Sequence, residues 1–182
     1  MSEPTETPAT EGTAKERFGS SLARVKAQRE AIVSKEFLTL RVPDYEDLQV
    51  RYRLMSEKAT EEVARKIESA QRSGASGKKN MEIAADFLVA ACDAVLVRIE
   101  DTGKFEVLVG EHEQPVRFDA ELADVLGIDG VDQARQIVLE TFSPEGDDGL
   151  RRNPDAIIDH LNAIISWRKG REYEIDQGLL GE

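Results

Sequence analysis

The sequence predicts an α+β domain, predominantly helical, in which two β-hairpins (about residues 37–55 and 95–109) pack with a central apolar helix (about 81–94) and a C-terminal set of three helices. Three observations carry this. The stretch FLTLRVPDYEDLQVRYRLMSE alternates apolar and polar residues on both sides of Pro43-Asp44, the period of half-buried strands. The run IAADFLVAACDA leaves little polar surface, as a buried helix does. Residues 119–169 repeat apolar positions at helical spacing, broken by glycine-rich loops.

Taken in order, residues 1–13 hold Pro, Thr, Glu and Gly and nothing able to anchor a core, so they read as a disordered acidic tail. Residues 14–34 read as a helical arm. Its weak stripe of Phe18, Leu22, Val25, Ile32 and Val33 is interrupted by Gln28 and Arg29. A single globular domain follows over 35–170. In its first hairpin Leu38, Leu40 and Val42 share a face with Leu48, Val50, Tyr52 and Leu54, while Arg41, Arg51 and Arg53 fall on the polar side. Pro43 fixes φ and Asp44 can bond its own backbone, which suits the turn.

Ser56 is placed to cap a helix running to about Arg72, and pairs such as Glu62/Lys66 stand four apart on its surface. Residues 73–79 read as a Ser/Gly/Lys linker. Its Gly-x-x-Gly-Lys fragment has neither the spacing nor the preceding strand of a phosphate-binding loop. Asn80 is the expected cap of the central helix, and Gly103 the turn residue of the second hairpin. Residues 115–118 form a short extended piece. Asp119 caps a helix with Leu122, Val125 and Leu126 inward, stopped by Gly127. Asp129 or Gly130 opens the next helix, with Ala134, Ile137, Val138 and Phe142 inward. Asn153-Pro154-Asp155 opens the last, with Ile157, Ile158, Leu161, Ile164 and Ile165 on its apolar stripe. Lys169-Gly170 ends it, and 171–182 reads as a flexible tail.

The 182 residues carry a formal charge of −12, which argues against nucleic acid and anionic membranes as main partners. The lone Cys92 cannot form an internal disulfide, the N-terminus lacks signal-peptide character, and no apolar run spans a bilayer. The expected location is cytoplasmic. No catalytic, cofactor or metal constellation emerges. His112 reads as an exposed loop histidine, His160 as a helix-edge histidine and Cys92 as a small buried hydrophobe in the central helix. Glu82, Asp86 and Asp93 read as a solvated helix face rather than a cation site. Trp167 suits either the core or an interface. The ribbon arginines suit either pairing with acids across the strands or docking a partner, and composition favours pairing.

Three segments are similar to the tail assembly chaperones of long-tailed (siphovirus-type) bacteriophages, especially those of actinobacterial hosts. They are LRVPDYEDLQVRYRLMSE (40–57), with a Val-Pro-x-Tyr turn and an Arg-bearing strand; AADFLVAACDAVLVRIEDTGKFEVL (84–108), an apolar helix running into a hairpin; and PVRFDAELADVLGIDGVDQARQIVLETF (115–142). Together they span somewhat over half the chain, and their order is more telling than any one motif.

The resemblance implies a non-enzymatic protein that binds the tape measure protein and recruits tail tube protein subunits in the host cytoplasm, without being retained in the virion. Many such chaperones are made in two lengths by a programmed frameshift, which the ending Leu179-Leu180-Gly181-Glu182 would suit. Self-association is also compatible with it. A minor structural or connector protein is the alternative within the same setting, and a small cytoplasmic regulatory domain or enzyme is the alternative outside it. The resemblance puts docking and internal pairing of the ribbon arginines on an equal footing. Arg41, Tyr45, Arg51, Arg53 and Trp167 are the candidate partner-binding residues.

Overall fold

The computed structural model describes residues 24–25, 36–74 and 77–179, with side chains as far as Arg171. The expected tail over 1–13 and nearly all of the arm over 14–34 lie outside the described residues; Arg24 and Val25 are helical and exposed. The chain divides into two units, Met1–Glu36 and Phe37–Glu182. Among its described residues the second unit is α+β, with a four-stranded antiparallel sheet and five helices. The strands are β1 (Phe37–Arg41), β2 (Leu48–Arg53), β3 (Cys92–Arg98) and β4 (Phe105–Val107), adjacent in that order. The helices are α1 (Glu57–Arg72) and α2 (Gly77–Ala91) between β2 and β3, then α3 (Ala120–Leu126), α4 (Ala134–Phe142) and α5 (Ala156–Leu179).

The first hairpin forms as its alternation predicts. Leu40 faces Val50 and Leu38 faces Tyr52. The loop closes through Val42 N–H to Leu48 C=O (3.1 Å) and Tyr45 N–H to Val42 C=O (3.3 Å), with Asp44 at φ 66°. Aspartate tolerates that left-handed conformation better than most residues. Ser56 caps α1, its hydroxyl accepting from Ala59 N–H at 3.3 Å.

Several boundaries differ from the sequence reading. α2 starts at Gly77, so Gly77-Lys78-Lys79 are its first turn rather than linker, and Asn80 lies inside the helix. It ends at Ala91, so residues 92–94, Cys92 among them, are strand. The apolar run, interrupted only by Asp93, satisfies a buried helix and a buried strand equally, which hides the junction. α4 starts at Ala134, not at Asp129 or Gly130. Gly130 is left-handed at φ 72°, and half-buried Val131 packs against the core and holds the intervening chain out of the helix. Asn153 has φ 47° and accepts from Ala156 N–H through its carbonyl, while its side chain reaches Asp44 at 3.5 Å. α5 passes through Gly170 to Leu179. One helical glycine costs only about 1 kcal/mol relative to alanine, and the flanking Lys169 and Arg171 are good helix formers. Gly127 ends α3 as expected, at φ 67° with its N–H on Asp124 C=O, and Asp119 caps it at Leu122 N–H. Val125 is 60% exposed rather than inward.

The core lies between one face of the sheet and the helices. Leu48, Val50, Tyr52 and Val95 meet Leu88 and Ala84 of α2, Ile137 and Phe142 of α4, and Ile157, Leu161 and Ile164 of α5. α2 is the central helix, in contact with α1, α4 and α5. Its alanines allow that close approach, which larger side chains would prevent.

Candidate functional site

The antiparallel register sorts the sheet into two faces, because residues directly opposite each other share one. The face turned from the core carries rows in which Phe37 stands beside Arg53, Thr39 beside Arg51 and Ala94, Arg41 beside Gln49, Leu96 and Val107, and Arg98 beside Phe105. The three ribbon arginines therefore share a face. Tyr45 stands in the turn just past Arg41, 36% exposed. Trp167 does not join them: it is a half-buried residue of α5, whose apolar stripe packs into the core on the other side of the sheet.

Each arginine is used differently. Arg51 is half-buried, donates to Asp93 Oδ2 from Nε (2.7 Å) and lies 4.9 Å from the Phe37 ring centre. Its Nη2 is 2.6 Å from the same carboxylate oxygen. Arg53 is exposed and donates to Ala90 C=O at 2.8 Å, near the end of α2 where carbonyls favour a cation. The Arg41 side chain has no ion-pair or hydrogen-bond partner among the described residues. So internal pairing accounts for Arg51, and leaves Arg41 and Arg53 unpaired by any carboxylate among the described residues.

The carboxylate that takes Arg51 was not visible in the sequence pattern. Tyr52 pairs with Cys92 and Arg51 with Ala94, so Asp93 is the extra residue of a β-bulge, which aims its side chain at Arg51. Asp93 is thus a strand residue and does not share a helix face with Glu82 and Asp86. Asp86 is instead held by a bidentate Arg135, both bonds 2.6 Å. Arg117 also reaches the bulge, donating to Asp93 C=O at 3.2 Å. No sequence signal links these partners, which lie 42, 49 and 24 residues apart.

His160 is 6% exposed and sits deeper than a helix edge. Its Nε2 is 2.8 Å from Arg41 C=O, which can only accept, so Nε2 carries the proton. Its Nδ1 then accepts from Tyr52 Oη at 3.0 Å. Burial pushes the His160 pKa down, against the opposing pull of the Arg41 carbonyl and Asp159. Burial, and then the nearby Cys92, keep Tyr52 protonated as a donor by raising its pKa. The imidazole is a structural clip joining β1, β2 and α5.

Cys92 is 1% exposed, and burial pushes its thiol up to about 12, outweighing the lowering effect of its hydrogen bond with the Phe118 backbone and of Arg117. Because the thiolate is the reactive form, the native protein at pH 8 is expected to resist a soluble maleimide that labels the urea-unfolded chain within minutes. Equal labelling rates in the two states would contradict this placement.

Neither the cleft of about 530 Å³ between α1, α2 and α5 nor that of about 660 Å³ beside α1 and α2 is lined by Cys92, His112 or His160. Among the described residues no cluster of His, Cys, Asp and Glu is placed to hold a metal. No helix among them is long and apolar enough to cross a membrane. The face turned from the core thus carries Arg41, Arg51 and Arg53 on β1 and β2 and Arg98 on β3. No family model matches the chain, no curated protein matches it in sequence, and no solved structure matches it.

Proposed function

We propose that this chain is a tail assembly chaperone of a long-tailed bacteriophage, which binds the tape measure protein and recruits tail tube subunits in the infected cell. The observation that carries the proposal is the ordered resemblance of segments 40–57, 84–108 and 115–142 to that family. The surface chemistry supports it. A charge of −12 keeps a protein soluble while it holds an aggregation-prone partner. Arg41 and Arg53 stand exposed on an open sheet face, where arginine is over-represented among binding hot spots.

Co-expression with a tape measure fragment from the same genome is expected to yield a complex that survives affinity purification and gel filtration, and finished particles are expected to lack the chain. Stoichiometric recovery of the chain from purified virions would instead make it a minor structural or connector protein.

A further inference from the structure

The open face of the sheet is polarised. Along β3 and β4 it presents Leu96, Phe105 and Val107, all half-buried, with the exposed Arg98 at the end of β3, and Phe37 holds one corner by β1. None of these four packs against the main core, although Val97 and Leu108 beside them do. Along β1 and β2 the same face presents Arg41, Arg51 and Arg53, with Arg117 reaching in at the bulge. Its carboxylates are already engaged: Asp93 holds Arg51, and Asp47 lies 3.7 Å from Arg98. Arg41, Arg53 and Arg117 have no carboxylate partner among the described residues.

A domain core is built from packed layers, and a sheet face that carries apolar side chains lacks a layer until something covers it. Four strands about 4.8 Å apart make a face roughly 14 Å across, matching one helix of about 10 Å with side chains. We propose that this face docks an amphipathic helix of a partner protein, with the helix's apolar stripe on β3–β4 and an acidic flank over β1–β2. The inference deepens the assembly reading above and rests on it in taking the chain as a binding module.

Charge complementarity chooses this occupant. A second copy of the chain docking through the same face would meet guanidinium or apolar surface, where the strands among the described residues offer no free carboxylate to answer Arg41 and Arg53. Nucleic acid would answer the arginines but leave the Leu96–Val107 half unmatched, and would approach a chain of charge −12. An acidic flank on an apolar stripe satisfies both halves at once, and the exposed cations also steer its approach.

The test uses the full-length ¹⁵N-labelled protein and a synthetic helix of about 20 residues with leucines at heptad spacing and glutamates along one flank. Amide shifts are expected to concentrate at Thr39, Arg41, Leu96 and Val107. Binding is expected to weaken at least tenfold when the glutamates become lysines, when the leucines become alanines, or in the Arg41→Gln/Arg53→Gln protein. That double variant should shift its thermal midpoint only slightly, since the Arg41 bond to His160 is made by the backbone carbonyl, and the exposed Arg53 bond to Ala90 C=O is the one side-chain bond it alters. Raising salt from about 0.05 to 0.5 M should weaken the glutamate peptide and not an uncharged one.

The proposal is overturned if glutamate and lysine peptides bind alike, or if the shifts map to α1 and α2. It also falls if a single-stranded oligonucleotide binds this face more tightly, or if sedimentation shows a dimer closed through it. Peptide docking without capture of the tape measure fragment would remove the assembly reading and leave the face. Capture that persists in the double variant would do the reverse.

Discussion

Replacing His160 with alanine is expected to lower the unfolding free energy by about 3–4 kcal/mol. Two effects add. The imidazole packs edge-on against Phe142 (4.7 Å between ring centres) and Tyr52 (5.8 Å), so its removal opens a cavity where α5 meets the sheet. It also strands the Tyr52 hydroxyl, which is fully buried and has no other acceptor among the described residues, and takes the N–H from Arg41 C=O. Tyr52→Phe, which removes only the hydroxyl, is expected to cost about 1–2 kcal/mol, and the two changes should be strongly non-additive in a double-mutant cycle. Urea unfolding checks both. A His160→Ala loss below about 1 kcal/mol would mean that α5 is not clipped to the sheet at this point.

The same residue sets a pH dependence. Burial holds the folded His160 below its ordinary value, so the unfolded chain binds the proton first as pH falls. The contribution is therefore complete above about pH 6.5 and is lost on acidification below it, by up to about 1.4 kcal/mol per pH unit until the folded pKa is reached. Wild type minus His160→Gln, measured from pH 7.5 to 5, isolates this limb. A stability difference that grows on acidification would reverse the sign and rule out the neutral clip.

Leu88→Ala should be comparably severe, at about 3–4 kcal/mol. Leu88 is fully buried in α2, the helix that meets α1, α4 and α5 together, so no single neighbour can move to fill the space without losing contact elsewhere. Val125→Ala is the control. Both positions read as inward from the sequence, but Val125 is 60% exposed, and its loss should cost less than about 0.5 kcal/mol. Thermal or urea unfolding of the pair tests the packing directly. Equal destabilisation would mean that α3 turns its Val125 side into the core.

Where the sequence was legible, the information was local. The ribbon could be read because the alternation of Leu38, Leu40, Val50 and Tyr52 dictates both strand and face within a few residues. Ser56, Asp119 and Gly127 marked helix ends because capping is a contact over about three residues. The candidate site was legible in part: the shared face of Arg41, Arg51 and Arg53 follows from strand period alone. The absence of Trp167 from that face does not, because α5 could have packed on either side of the sheet.

The sequence by itself therefore determined the α+β class, the strands and their faces, most of the helices, and the negative charge that frames any partner. Only the tertiary structure decided which arginines are spent. Asp93 became a partner of Arg51 because a bulge turned it, and the helix–strand junction beside it was hidden in an apolar run that satisfied both states. His160 became a clip because α5 crosses β1 and β2, bringing together residues 108 and 119 positions apart. Contacts at such separations leave no period in the chain; they arise when layers pack, and that packing left Arg41 and Arg53 without carboxylate partners among the described residues, beside an apolar half-face.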